Sequence, residues 1–201
     1  MKLYYSPGAC SLSPHIILRE AGIDFSIERV DLKTKTTEHG VDFNTINPKG
    51  QVPFLVLDSG DTLSEGAVIV QYIADQTPAR NLIAEKGTLQ RYHQLEMLNY
   101  ISTELHKSFA PLFTPGTPEE YKHSVRTNLL KKFAYLDKML AQQNYICGEH
   151  FTVADAYLFT VGGWNKLVGI DISALHHLQN YLAKITQRPE VQKALQIEGL
   201  I

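Results

Sequence analysis

Residues 2–21 read KLYYSPGACSLSPHIILREA, and this stretch decides the fold of the first part of the chain. Its first residues, 2–5, are typical of a short strand, and residues 13–21 indicate a helix. Between them lies a tight loop rich in proline, glycine and serine, which contains Cys10. The sequence therefore predicts a strand, a loop and a helix in succession, with a cysteine close to the start of the helix.

The position of Cys10 predicts an acidic thiol. Backbone N–H groups and the helix dipole favour an anion at a helix start, so we expect the pKa of the thiol to fall. The alternative is a small buried apolar residue, which is the commoner fate of a free cysteine. The second cysteine, Cys147, is distant in sequence and forms no Cys-x-x-Cys pair, which favours a reducing cytoplasm.

The composition excludes several classes of protein. The chain has 201 residues, 44% of them hydrophobic and 20% charged, as in ordinary globular domains. Its net charge of −2 argues against nucleic acid or an anionic membrane as a partner. No apolar run reaches the roughly 18 residues that span a bilayer, and residues 1–15 do not resemble a secretory signal. The histidines and carboxylates show no metal-ligand spacing, so no metal site is expected.

Strand and helix signals alternate as far as residue 80. Strands are predicted at residues 2–5, 25–30, 52–57 and 62–63, and helices at residues 13–21 and 66–74, with a short irregular helix within 38–47. This order predicts a mixed four-stranded sheet whose first crossover is parallel. A break at 77–81 then separates a domain of residues 1–80 from a domain of residues 87–201.

Every long segment of the second domain has a helical signal. One apolar face is formed by Val125, Leu129, Phe133, Leu136 and Leu140. A capping box is predicted where Thr152 and Asp155 precede a stretch that is apolar nearly all round. We therefore expect an all-α domain with this helix at its centre, and a loss of about 1 kcal/mol or more if the Asp155 cap is removed.

Four features now stand together: the cysteine at the helix start, Gln51-Val52-Pro53, Ser64-Glu65-Gly66 and the capping box. In this order they resemble the glutathione S-transferase family from end to end. The strings NPKGQVP at 47–53 and TVADAY at 152–157 are the most specific. With Cys10, the string NYISTELHK at 99–107 is similar to the bacterial, cysteine-containing beta class. The resemblance implies a thioredoxin-like first domain that binds glutathione and a helical domain that covers a hydrophobic co-substrate.

The resemblance also implies roles for residues of the first domain. Pro53 is expected to be cis and to present the backbone of Val52 to the cysteinyl unit of glutathione. Glu65 would accept the γ-glutamyl ammonium, and the helix start at Gly66 would hold the γ-glutamyl carboxylate. Lys35 would bind the glycyl carboxylate. Many relatives carry serine where Gly66 stands, so we expect the carboxylate contact to be weaker here.

In the second domain, the resemblance places His106 near the sulfur of glutathione, as a catalytic residue beside Cys10. Lys107 and Trp164 correspond to residues of the co-substrate pocket. The other glutathione-binding positions that the motif implies are Asn99, Thr103, Glu104 and Leu105. Some of these would act across the interface of a homodimer.

The predicted activity is conjugation of glutathione to small hydrophobic electrophiles by a cytoplasmic detoxification enzyme. The thiolate of glutathione would be stabilised by the helix start, by the S–H of Cys10 and by His106, and would attack an electrophilic carbon. Glutathione is a co-substrate, and no cofactor is expected. Because many relatives use a hydroxyl instead, Tyr5 and Ser11 are rivals to Cys10.

Two other functions stay open. A cysteine can form a mixed disulfide with glutathione, so Cys10 also predicts thiol–disulfide exchange, either beside conjugation or as the main activity of a glutaredoxin-like oxidoreductase. The other alternative is a carrier that binds glutathione conjugates or apolar ligands with little turnover.

Overall fold

The computed structural model describes residues 1–201, which divide into two compact units. The first unit consists of residues 1–83 together with 188–201, and the second of residues 84–187. The predicted division assigned the C-terminal residues to the helical domain, whereas in the structure they pack with the beginning of the chain.

The first unit is built on a five-stranded sheet. Its strands are β1 (Lys2–Tyr5), β2 (Ser26–Asp31), β3 (Thr36–Thr37), β4 (Phe54–Val56) and β5 (Thr62–Ser64). They lie in the order β3-β2-β1-β4-β5; β1 and β2 are parallel, and all other pairs are antiparallel. The mixed sheet and its parallel first crossover are confirmed, but the strand count of four was wrong. The extra strand, β3, has two residues, too few for an alternating pattern to appear in the sequence.

Three helices belong to the same part of the chain: α1 (Leu12–Ala21), α2 (Phe43–Ile46) and α3 (Gly66–Gln76). Helix α1 packs against α3. It forms around a run of apolar residues, of which Ile16, Ile17 and Leu18 are wholly buried. It ends at Gly22, which has a φ of 68°. The central strand β1 is buried at three of its four residues, which places the core between β1 and these helices.

The second unit is all helical. It contains α4 (Leu89–Tyr100), a π-helical segment (Ile101–His106), α5 (Lys107–Phe113), α6 (Glu119–Leu140), α7 (Val153–Gly163) and α8 (His176–Thr186). Helix α7 contacts α4, the π-helical segment and α8, and nearly all of its residues are buried. The central position predicted for this helix is confirmed. The predicted apolar face of α6 is also buried at Leu129, Phe133, Leu136 and Leu140.

The last helix, α9 (Pro189–Ile197), packs against α1 in the first unit. This contact makes the first unit discontinuous in sequence. Arg188 contributes a paired hydrogen bond to Glu20, at 2.7 and 2.9 Å. No helix of the chain combines the length and the apolar character needed to cross a membrane.

Candidate functional site

Cys10 lies two residues before α1 and donates a hydrogen bond from Sγ to the carbonyl oxygen of Val52, 3.2 Å away. The residue keeps part of its surface exposed. Burial of the sulfur nevertheless raises the pKa of Cys10 to about 12, although the backbone N–H groups of Cys10 and Ser11 act in the opposite direction. The predicted fall in pKa was therefore wrong. The helix start does favour the anion, but desolvation of the sulfur outweighs it.

The two rival hydroxyls are less available than the thiol. Ser11 is wholly buried, and its Oγ accepts a hydrogen bond from the Ser6 N–H at 3.1 Å and donates one to the Ser6 carbonyl at 3.3 Å. These bonds close the loop that carries Cys10. Tyr5 is also buried, and burial, followed by the charge of Glu198, raises the pKa of its phenol. Both observations favour Cys10 as the group that faces a ligand.

The loop that carries Val52 is held in place by its own side chains. The Val52–Pro53 peptide is cis, as the resemblance implies. Asn47 is buried and donates from Nδ2 to the carbonyl of Gln51 at 2.7 Å, which ties the two ends of the loop together. Val52 packs into an apolar cluster that includes Phe54. The string NPKGQVP thus builds a fixed loop that brings the backbone of Val52 to Cys10.

Lys35 lies beside the same loop. Its ammonium donates to the carbonyl of Gly50 at 2.8 Å, and both residues have a positive φ, 59° for Lys35 and 58° for Gly50. The structure therefore brings together Cys10, Val52 and Lys35, three of the residues that the sequence singled out in the first unit.

Glu65 has a φ of 72°, a conformation that is costly for a residue with a side chain, and it immediately precedes α3. Its carboxylate is largely exposed and forms an ion pair with Lys49 at 2.7 Å. Lys49 also donates to Oγ of Ser64 at 3.0 Å. Helix α3 begins at Gly66, and the N–H groups of a first helical turn have no acceptor within the helix, so they can bind an anion. Lys49 was not predicted as a site residue, although it lies within the string 47–53.

In the second unit, His106 ends the π-helical segment and lies within an aromatic cluster. Its Nδ1 is 2.7 Å from the phenolic oxygen of Tyr157, and its ring centroid is 5.0 Å from that of Trp164. The buried Trp164 ring also contacts the edges or faces of Phe109 and Phe113, at 5.5 and 5.7 Å. None of Tyr157, Phe109 and Phe113 was predicted as a site residue. The spacing 106, 109, 113 places Phe109 and Phe113 on the same helix face as His106, and Tyr157 is the last residue of the string TVADAY.

The remaining predicted positions of the second unit differ in exposure. Asn99, Thr103, Glu104 and Lys107 are exposed, whereas Leu105 is wholly buried. The side chain of Leu105 therefore belongs to the core of the helical unit, and only its backbone could touch a ligand. Glu104 is paired with Lys132 at 2.9 Å, and this hydrogen bond and charge hold the pKa of Glu104 below its ordinary value.

Lys132 also supports the π-helical segment. In such a wide turn the regular pattern of backbone hydrogen bonds is interrupted, and π turns are frequent at functional sites. The carbonyl of Glu104 accepts hydrogen bonds from Nζ of Lys132 and from Oγ of Ser108, both at 2.7 Å. Lys132 from α6 therefore holds the segment that ends at His106.

The capping box at the start of α7 is confirmed. Asp155 accepts hydrogen bonds from four donors: Thr152 N–H (2.8 Å), Thr152 Oγ1 (2.9 Å), Ile146 N–H (2.8 Å) and Tyr181 Oη (2.9 Å). Burial raises the pKa of Asp155, and these four donors act in the opposite direction. Asp155 has a structural role, since it joins the loop before α7 to α7 and α8.

Family models match both units. Residues 8–76 match the model described as Glutathione S-transferase, N-terminal domain, and residues 100–189 match Glutathione S-transferase, C-terminal domain. No group of three or more histidine, cysteine, aspartate or glutamate side chains is placed to hold a metal ion.

Known proteins are similar over the full length. The chain is 52% identical to the Escherichia coli O157:H7 protein named Glutathione S-transferase GstA, and each covers the other completely. The solved structure of a sphingomonad glutathione S-transferase complexed with glutathione is 50% identical, with a TM-score of 0.97 and full coverage of both chains. A bacterial beta class glutathione S-transferase from Sphingomonas chungbukensis is 49% identical, again with a TM-score of 0.97 and full coverage.

Proposed function

The chain belongs to the glutathione S-transferase family, in its bacterial beta class, and on this premise we propose how its residues serve the transferase reaction. The enzyme conjugates the thiol of glutathione to an electrophile. The first unit binds glutathione, and the helical unit of residues 84–187 contains the hydrophobic co-substrate site. The observation that carries the assignment is the hydrogen bond at 3.2 Å between the thiol of Cys10 and the carbonyl oxygen of Val52, in the loop with the cis peptide.

Cys10 acts as a hydrogen-bond donor. A thiol with a pKa of about 12 keeps its proton at neutral pH, so it does not compete with glutathione as a nucleophile. The S–H, which donates to the Val52 carbonyl in this structure, turns to the sulfur of bound glutathione. Donation to the anionic form lowers the pKa of glutathione's thiol, which is mostly protonated in water at pH 7.

The other first-domain residues bind the tripeptide by its charges and its backbone. Val52 pairs with the cysteinyl unit, as an added strand pairs with a sheet edge. Glu65 binds the γ-glutamyl ammonium, the start of α3 at Gly66 binds the adjacent carboxylate, and Lys35 binds the glycyl carboxylate. The support for this assignment is that Cys10, Val52 and Lys35 lie around one loop, and that Glu65 has the costly backbone conformation often found at binding sites.

The helical domain supplies the second donor and the co-substrate pocket. His106 donates to the glutathione sulfur. Trp164, with Phe113 and Lys107, lines the place of a small hydrophobic electrophile such as an activated aryl halide, since aromatic rings favour flat apolar ligands. Asn99, Thr103 and Glu104 assist at the γ-glutamyl end in a homodimer. The enzyme acts in the cytoplasm, in detoxification.

Thiol–disulfide exchange stays a sequence prediction with less support. In that reaction the Cys10 thiolate attacks a sulfur of glutathione disulfide, forms a mixed disulfide and releases glutathione as the thiolate. A pKa of about 12 leaves little Cys10 thiolate at neutral pH. Mass spectrometry of protein incubated with glutathione disulfide tests it directly, since a glutathione adduct on Cys10 would support exchange.

A titration of bound glutathione tests the donor role. We expect the ultraviolet absorbance of the thiolate to show a lower pKa on the wild-type enzyme than in buffer. Cys10→Ala should raise the pKa of bound glutathione by about 1, and Cys10→Ser, which keeps a donor, should raise it less. An identical pKa in all three proteins would overturn the assignment. Tight binding of glutathione without turnover of any electrophile would favour a carrier.

A further inference from the structure

Tyr157 is a buried residue of α7 that contacts His106 in two ways. Its phenolic oxygen is 2.7 Å from Nδ1, and the two rings are nearly perpendicular, at 89°, with centroids 5.9 Å apart. Trp164 packs on another part of the same imidazole. The His106 ring is therefore held in one orientation by side chains of the helical unit.

The proton of the imidazole has two possible locations. In neutral histidine, one ring nitrogen donates and the other accepts. A buried tyrosine hydroxyl needs an acceptor, and Nδ1 lies at hydrogen-bond distance from it. When the hydroxyl donates to Nδ1, the proton of neutral His106 must be on Nε2.

We propose that Tyr157 is a positioning residue for the transferase reaction, because its hydroxyl holds His106 as the tautomer with a proton on Nε2. An anionic sulfur then meets an N–H donor, whereas the other tautomer would present a lone pair and repel it. This inference rests on the proposed role of His106 at the glutathione sulfur. Two residues of the string TVADAY then have separate roles. Asp155 stabilises the start of α7, and Tyr157, two residues later, sets the tautomer of His106.

The tautomer is measured by ¹⁵N NMR of histidine-labelled protein without glutathione, at a pH where His106 is neutral. His106 is assigned by the signal that disappears in His106→Asn. We expect the wild-type signal to show a protonated Nε2, and Tyr157→Phe to show a mixture of tautomers. A proton on Nδ1 in the wild type, or an unchanged tautomer in Tyr157→Phe, would overturn the proposal.

Kinetics show whether the tautomer matters for the reaction. Tyr157→Phe should lower kcat about five- to tenfold and leave KM for glutathione within about twofold, since one hydrogen bond is lost and the ring remains. In the His106→Asn background the same change should have no further effect. An equal loss in both backgrounds would contradict the inference.

Two controls separate the possible failures. Tyr121→Phe makes the same change at an exposed residue of α6 and should leave kcat unchanged. If His106→Asn itself left kcat unchanged, the proposed role of His106 would fail, and the NMR result would still decide whether Tyr157 sets the tautomer.

Discussion

The Cys10 thiol donates a hydrogen bond to the Val52 carbonyl, with 3.2 Å between sulfur and oxygen. This bond joins the loop before α1 to the loop that contains the cis peptide. Burial of the sulfur raises the pKa of Cys10 to about 12. Cys10 is thereby suited to donate a proton in a hydrogen bond rather than to act as a nucleophile.

The first prediction concerns the reactivity of Cys10. Because only the thiolate reacts with iodoacetamide, alkylation of Cys10 should be slow at neutral pH and should become faster with every increase in pH up to 10. The variant Cys147→Ser removes the other thiol, whose pKa burial also raises to about 12. Mass spectrometry of the alkylated protein gives the rate. A plateau in the rate above neutral pH would contradict the high pKa.

The second prediction concerns Glu65 and its ion pair with Lys49. Glu65→Gln should raise KM for glutathione by about tenfold or more, because a charge-assisted hydrogen bond to the ammonium is lost. Lys49→Met should change KM by about twofold at most, since both partners of the pair are exposed. Steady-state kinetics at saturating electrophile measure both. Equal effects of the two variants would mean that Lys49 itself binds glutathione.

The third prediction concerns Gly66, the first residue of α3. A Cβ at this position would be 3.7 Å from Cγ of Pro53, an ordinary contact, so the backbone accepts a larger residue. Gly66→Ser should lower KM for glutathione about fivefold by adding a donor for the γ-glutamyl carboxylate. Gly66→Ala is the matched control and should leave KM unchanged. A similar gain with alanine would show that the helix start, not the hydroxyl, was responsible.

Asp155 is expected to be important for stability rather than for chemistry. Asp155→Asn replaces a carboxylate oxygen, which accepts hydrogen bonds, with an NH₂ group, which donates them. At least one of the buried donors around Asp155 then loses its acceptor. The free energy of unfolding should therefore fall by about 3 kcal/mol. Urea unfolding measures this loss. The exposed Asp171→Asn, which also affects a side-chain contact to a backbone N–H, should have little effect. A smaller loss at Asp155 than at Asp171 would contradict the structural role of the four hydrogen bonds to Asp155.

The last prediction concerns the π-helical segment. Lys132→Met removes the ammonium that binds the Glu104 carbonyl and carboxylate, so amide hydrogen exchange over residues 101–108 should accelerate about tenfold, and kcat should fall. Lys131→Met alters an exposed neighbour and should change neither. An unchanged rate of amide hydrogen exchange in Lys132→Met would show that Lys132 does not stabilise the π-helical segment.

Much of the fold was predictable because local patterns decide it. The capping box and the buried face of α6 depend on residues close in sequence, and the parallel pair of β1 and β2 follows from the order strand, helix, strand. Strand β3 was missed because two residues carry no periodicity, and α9 was assigned to the wrong neighbours because an amphipathic helix does not specify which surface it will cover.

Most residues of the site could be predicted from the sequence, but their ion pairs, hydrogen bonds and pKa values could not. The string NPKGQVP indicated the cis peptide, and Cys10 was identified from its position before α1. Two contacts of the site could not be predicted: the ion pair of Glu65 with Lys49 and the hydrogen bond of His106 with Tyr157. Each joins residues that are distant in sequence, and no local sequence pattern predicts such a pair.

By itself, the amino-acid order determined most of the helices and strands, the family and the identity of the sulfur-bearing residue. Only the folded chain decided that this sulfur keeps its proton. A local motif reports the dipoles along the backbone, but the cost of charging a group depends on how much water its neighbours exclude, and those neighbours come from distant parts of the chain.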